Sequence, residues 1–371
     1  MSLFRRVLGR LRKETLLLVL LLAFLPLFWL APVSAHGLAA LVDWKTIGAL
    51  AGLMVLSRGL EESGFLASAG QKIIAGIRTE RTLAMVLVLF SALLSAFITN
   101  DVALFIVVPL TLGLGAVAEL PMGRLVIFEA FAVNAGSAIS PIGNPQNLFL
   151  WQASGATIPE FLWAMGPLVL ALMFLLLVAV TVAFSRRIIT VNPLDTDPGI
   201  HRTLFIVSLL LYPVFLVLVD LGFAMGAASG VLVLYWVFSR NVLLGLDWML
   251  LLVFLMMFVD LGLLSHLPAI AALAQYIDGI PGGVFSAGVL LSQVISNVPA
   301  AIFLESFTDE WQLLAWGVSV GGFGLGIGSL ANLIAIRLSR GHARWSEFHA
   351  WSIPFLIAGS AVAYGLLHGV R

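Results

Sequence analysis

The residues of this chain that could do chemistry are amides, hydroxyls and carboxylates set in apolar surroundings. Thr99-Asn100-Asp101 interrupts one long apolar stretch, and Ser296-Asn297-Val298-Pro299 interrupts another. Asn144, Gln146 and Asn147 follow a break at Ser140-Pro141-Ile142-Gly143, and Ser329 and Asn332 follow a second, glycine-rich break ending at Gly328. Asp101, Glu129 and Asp260 are carboxylates within apolar runs. No Lys or Arg lies within 82–119, 125–184 or 283–336. An anion bound there would be held by helix N-termini, amides, hydroxyls and co-bound cations. Carbonyls and Asn oxygens freed by the same breaks suit Na⁺. A carboxylate at such depth binds a cation, carries a proton or pairs internally. The chain has no cysteine, which removes disulfides and thiolate chemistry. Its six histidines are scattered without metal-ligand spacing.

The elements that must position these groups follow from composition. The 371 residues are 61% hydrophobic and 10% charged, whereas soluble domains run about 45–50% and about 25%. Such a chain cannot cover a soluble surface and is expected to be an all-α polytopic membrane protein. Its net charge of zero gives no face for nucleic acid. Continuous spans are predicted at 15–33, 42–58, 161–184, 203–221, 223–239, 247–264 and 351–369. Segments 124–154 and 311–338 are long enough to span but broken by Gly, Pro and Asn. The stretches 82–119 and 283–308 are each split near the middle and read as re-entrant hairpins; 63–79 and 266–279 read as interfacial helices. The total is about nine transmembrane helices. Arg5, Arg6, Arg10, Arg12 and Lys13 precede the first apolar run, and Val33-Ser34-Ala35 is like a signal-peptide cleavage site. The run is long for a signal peptide, so an uncleaved first span is expected.

Charge sets the orientation. Arg58, Lys72, Arg78, Arg81, Arg186, Arg187, Arg202, Arg240, Arg337, Arg340 and Arg344 all fall on the side of the N-terminal cluster, while loops 155–160, 264–283 and 306–311 contain neither Lys nor Arg. The positive-inside rule then puts the N-terminus in the cytoplasm and the C-terminus outside.

The chain also echoes itself. Asp43-Trp44 returns as Asp247-Trp248, and Leu94-Ser95-Ala96-Phe97-Ile98-Thr99-Asn100 as Leu291-Ser292-Gln293-Val294-Ile295-Ser296-Asn297. Gly143-Asn144-Pro145-Gln146-Asn147-Leu148 returns as Gly328-Ser329-Leu330-Ala331-Asn332-Leu333. The order is the same and the predicted orientation opposite, which is an inverted-topology repeat. Two halves are expected, 1–184 with an inward-opening hairpin and 203–371 with an outward-opening one, joined by a cytoplasmic linker at 185–202. Paired broken helices in inverted repeats mark secondary transporters, with the site at the midplane.

Thr99-Asn100-Asp101-Val102-Ala103-Leu104, Ser140-Pro141-Ile142-Gly143-Asn144-Pro145-Gln146-Asn147, Ser296-Asn297-Val298-Pro299 and Gly328-Ser329-Leu330-Ala331-Asn332-Leu333 resemble the ion transporter superfamily. That group includes arsenite permeases, NhaD-type antiporters, citrate carriers and divalent-anion symporters, and the nearest likeness is to YbiR-type transporters of bacterial inner membranes. The resemblance implies a dimerising scaffold and an elevator-like transport domain holding both hairpins. The hairpin tips lack the Ser-Asn-Thr of the sodium-dicarboxylate branch, and that branch's Thr-Pro-Pro pattern is absent. The Asn100-Asp101 pair looks more like the arsenite-permease and NhaD branches, where proton coupling is common.

The expectation is therefore a non-enzymatic secondary transporter of the bacterial inner membrane. It would move a small inorganic or carboxylate anion coupled to H⁺ or Na⁺; the alternative is a Na⁺/H⁺ antiporter without an anion. The expected substrate site is Thr99, Asn100, Asp101, Asn144, Gln146, Asn147, Ser296, Asn297, Ser329 and Asn332. Asp101, Glu129 and Asp260 are the expected coupling residues, and Asn100, Gly143, Asn297 and Gly328 the candidate Na⁺ ligands, with no other cofactor.

Overall fold

In the computed structural model, residues 15–31, 33–74, 76–115, 120–189, 199–274 and 276–369 are described. The N-terminal basic cluster and Asn192, Pro193, Asp195, Asp197 and Pro198 of the linker lie outside them. The described residues are helical apart from turns and one isolated bridge between Thr79 and Ile188. In order the helices are α1 Thr15–Leu30, α2 Ala35–Ala40, α3 Trp44–Glu62, α4 Phe65–Ile74, α5 Glu80–Phe97, α6 Asn100–Gly115 and α7 Met122–Ser137. Next come α8 Pro145–Ser154, α9 Ile158–Ala183, α10 Arg202–Asp220, α11 Ala224–Phe238, α12 Arg240–Leu244 and α13 Trp248–Ser265. The chain ends with α14 Pro268–Ala274, α15 Gly283–Ile295, α16 Asn297–Glu305, α17 Trp311–Gly321, α18 Leu330–Leu338 and α19 Trp345–Gly369.

Five of these, within α5, α9, α10, α13 and α19, are long and apolar enough to cross a membrane. Their outer faces carry large apolar side chains such as Trp163, Leu170, Phe174 and Val182 on α9. Lipid, unlike water, accepts such a face, and in lipid every backbone group must be paired within the protein. The stretch predicted as a first hairpin forms α5 and α6, which pack on each other; α5 has 18 residues, longer than a short arm needs. The second forms α15 and α16, of 13 and 9 residues, also packed together.

Local chemistry explains the helix ends. Asp43 caps α3 by accepting from the Lys45 and Thr46 amides at 3.0 and 3.3 Å, and Asp247 caps α13 by accepting from Met249 at 3.1 Å. Thr157 and Glu160 form a capping box at α9, immediately after Gly155 has turned the chain at φ 67°.

The two broken segments enter from opposite ends of α9. Near the start of α7, the Arg124 guanidinium donates to the carbonyl of Ala183 at the end of α9, at 2.9 Å, and pairs with Glu347 at 2.9 Å. At the start of α17, Trp311 stacks on Phe161, and midway along it Trp316 donates to the carbonyl of Ala164 at 3.0 Å, both partners lying in the first two turns of α9. The helix pairs correspond across the molecule. The first arms α5 and α15 lie on α7 and α17; the second arms cross, α6 against α18 and α16 against α8. Small residues allow these approaches: a Cβ on Gly136 would fall 2.3 Å from the Ala92 carbonyl oxygen, and one on Gly317 equally close to that of Phe285.

Candidate functional site

The chain breaks at 138–144 and at 322–329, and the two breaks are built alike. Asn144 caps α8 with extended backbone (φ −153°, ψ 156°), and Ser329 caps α18 in nearly the same conformation (φ −146°, ψ 139°). Three residues on in each case, an Asn reaches back to carbonyls at the end of the preceding helix. Asn147 Nδ2 donates to Ala138 at 3.0 Å and Ser140 at 3.3 Å; Asn332 Nδ2 donates to Gly322 at 2.8 Å. A helix ending in an apolar interior leaves four carbonyls unpaired. These two amides satisfy part of that demand, so Asn147 and Asn332 hold the breaks open as well as line them.

The tip between α5 and α6 docks on the first break. The Asn100 amide donates to the Gly143 carbonyl at 2.9 Å, and the Ser140 hydroxyl donates to the Ala96 carbonyl at 2.7 Å. Gly143 is pressed so closely into this joint that a Cβ would lie 2.3 Å from the Ser137 carbonyl oxygen and 2.7 Å from that of Ser95. Asn100 Oδ1 accepts from the Asp101 amide at 2.9 Å, and Thr99 is buried.

At the other tip, Ser296 joins α15 and α16 at φ 76° and ψ 156°. That region belongs almost wholly to glycine and costs a side-chain-bearing residue about 1–3 kcal/mol. Asn297 is buried with its amide nitrogen towards Gly322. Gln293, one turn before the tip, donates to the Gly321 carbonyl at 2.7 Å and accepts from the Leu325 amide at 2.8 Å, fastening this hairpin to the second break.

One residue outside the expected set connects the breaks. Asn134 on α7 donates to Asn332 Oδ1 at 2.8 Å and accepts from the Ser329 hydroxyl at 2.9 Å. One turn on, Ser137 accepts from Asn144 Nδ2 at 3.1 Å. A single turn of α7 thus carries hydrogen bonds to both breaks. Gln293 and Asn134 were missed because each sits inside an apolar helix, without Gly or Pro beside it to advertise a site; Ser137 follows Gly136 but precedes the break rather than standing in it. The register relating Gly143 to Gly328 also relates Asn134 to Ser319, and that signal was in the sequence.

The structure brings Asn100, Gly143, Asn144 and Asn147 into one hydrogen-bonded joint and Ser329 and Asn332 into another. Gln146 is buried on α8. Gly328 lies where a Cβ would meet the Gly321 carbonyl oxygen at 2.7 Å. The other carboxylates stand apart. Glu129 is fully buried between α6 and α7, one oxygen accepting from the Thr111 hydroxyl and the other without a partner among the described residues. Asp260 is 3% exposed on α13, which packs on α1, α3 and α16, and both its oxygens lack partners among the described residues.

The family model described as citrate transporter matches residues 6–321. The chain is 43% identical over 350 residues to inner membrane protein YbiR of Escherichia coli, covering 94% of each. It is 32% identical over 311 residues to an uncharacterized transporter of Methanocaldococcus jannaschii, covering 83% of this chain and 84% of that one. It is 31% identical over 139 residues to silicon efflux transporter LSI3 of Oryza sativa subsp. japonica, covering 38% of this chain and 29% of the other. With the family model matching most of its length and a relative 43% identical over 94% of it, the chain belongs to the citrate transporter family of membrane transporters.

Proposed function

We propose that this protein is a secondary active transporter of the bacterial inner membrane that moves a small oxyanion or carboxylate together with H⁺ or Na⁺. The observation that carries this reading is the pair of like-built breaks, entered from opposite ends of α9 and packed crosswise against the second arms of two hairpins. The arrangement fits an inverted repeat of about nine spans with two re-entrant hairpins, its halves being 1–184 and 203–371 about the linker 185–202. Charged residues at the starts of α5, α7 and α19 cluster with the end of α9, which suits a cytoplasmic face, an inward N-terminus and an outward C-terminus.

In this reading the substrate sits among Thr99, Asn100, Asp101, Asn144, Gln146, Asn147, Ser296, Asn297, Ser329 and Asn332. The N-termini of α6, α8, α16 and α18 supply free amides and partial positive charge to the anion. Na⁺ is offered the oxygens of Asn100, Gly143, Asn297 and Gly328, and Asp101, Glu129 and Asp260 are available to carry the coupling proton. The scaffold, built from α3, α10 and α11, pairs with a second copy while the hairpin domain moves elevator-fashion.

The test is flux in proteoliposomes. Uptake of arsenite, phosphate, sulfate and di- and tricarboxylates is followed under imposed pH and Na⁺ gradients. Saturable uptake of one anion, driven by either gradient, is expected. The orphaned carboxylate of Asp260 favours a second reading, Na⁺/H⁺ antiport without an anion. In that case a Na⁺ gradient alone changes the lumenal pH and no anion moves.

A further inference from the structure

Asn134 and Ser319 stand in the same register, each thirteen residues before an Asn at the start of the half-helix after a break (147 − 134 and 332 − 319). Gly136 pairs with Gly321 and Gly143 with Gly328 in that register. On one side of the molecule, where α7 packs on α18, the Asn134 carboxamide fills the space before Asn332 and satisfies it. On the other side, where α17 packs on α8, the corresponding partners are Ser319 and Asn147. A hydroxyl there replaces a carboxamide. Ser319 is 3% exposed and Asn147 0%, and Ser319 Oγ and Asn147 Oδ1 are both buried without a partner among the described residues. Asn147 cannot turn its amide over in compensation, because its Nδ2 is already held by the Ala138 and Ser140 carbonyls. A buried polar atom left unpaired costs about 1–3 kcal/mol, and here each of two packed helices carries one, at positions that the register pairs.

We propose that Ser319 and Asn147 form a buried site for one small hard cation, Na⁺, which joins α17 to α8 as the Asn134 carboxamide joins α7 to α18. The unpaired atoms are both oxygens, carbonyls of the first break lie beside the Asn147 side chain, and neither α8 nor α17 carries a basic side chain. The site bridges the two halves. It is distinct from the Na⁺ ligands suggested above, which join each hairpin tip to the break of its own half, and it depends on no assignment of the transported substrate.

Binding of ²²Na⁺ to the purified full-length protein, with thermal stability in NaCl against choline chloride, tests it. Ser319→Asn installs the group that the other side already has. It is expected to bind one Na⁺ fewer per chain than the wild type and to be as stable in choline as the wild type is in NaCl. Ser319→Ala should weaken Na⁺ binding at this site by at least ~10-fold. Asn134→Ser, which opens the corresponding space, should bind one Na⁺ more. Unchanged stoichiometry and affinity in both Ser319 variants overturn the proposal, as does a wild type without bound Na⁺, the gap then holding water. Anion flux that persists in either event leaves the transport reading standing.

Discussion

Asn134 donates its side-chain amide to Asn332 Oδ1 at 2.8 Å, tying α7 to α18 across nearly two hundred positions of chain. With the Ser329 hydroxyl on its other end and Ser137 one turn away, Asn134 makes the two breaks a single polar structure. Both amides are buried, so both geometry and stability depend on the pair.

Replacing Asn134 by Ala is expected to destabilise the protein by about 1–3 kcal/mol, because the Asn332 Oδ1 and the Ser329 hydroxyl lose their partner. Asn134→Asp should be at least as damaging, since it sets an oxygen against Asn332 Oδ1 while Asn332 Nδ2 stays committed to Gly322. Unfolding in mixed micelles, run as a cycle with Asn332→Ala, measures the coupling. A coupling near zero would show that the two residues act independently.

Gly143→Ala should abolish transport and lower the yield of monodisperse protein. The added carbon would meet the Ser137 and Ser95 backbone, which cannot step aside as a side chain could. Gly166→Ala is the control: a Cβ on Gly166 of α9 meets nothing within 4 Å. It should leave flux intact and shift stability by no more than about 0.5–1 kcal/mol, in the favourable direction.

Ser296→Gly should stabilise the second tip by about 1 kcal/mol through relief of its backbone strain, whereas Ser296→Ala keeps the strain and removes the hydroxyl. If the hydroxyl binds substrate, both variants raise KM equally while only the glycine variant raises Tm. An unchanged KM in both assigns Ser296 to shaping the chain alone.

Asp260 and Asp101 should separate stability from coupling. Asp260→Leu replaces a buried carboxylate with no described partner and is expected to stabilise the protein by about 1–3 kcal/mol, the cost of a buried polar group left unpaired. If Asp260 carries the proton, the variant transports without pH dependence. The same flux assay on Asp101→Asn decides between them, because the pH response disappears only in the residue that is coupled.

Much of the organisation was legible in the sequence. Apolar runs, Asp-Trp starts, and the Gly-Asn and Gly-Ser breaks set most helix boundaries to within a few residues, since local hydrophobicity and capping act over one or two turns; the last helix starts six residues before the expected span. The likeness of the breaks was legible too, because Asn147 and Asn332 lie at equal distances from Gly143 and Gly328. What the residues do to one another was not. Asn147 reads as a ligand in sequence, and in the fold its amide nitrogen is spent on the Ala138 and Ser140 carbonyls. Glu129 and Asp101 look alike as carboxylates in apolar runs, yet one is sealed against Thr111 and the other stands at a hairpin tip. Asn134 drew no notice in its own helix, and only helix crossing, a relation between residues nearly two hundred positions apart, brings it to Asn332. The sequence by itself determined a membrane transporter with two matched breaks, because period, polarity and capping are local. Tertiary structure alone decided which polar atoms are satisfied and which are left over, because for a buried atom that depends on the partner it meets.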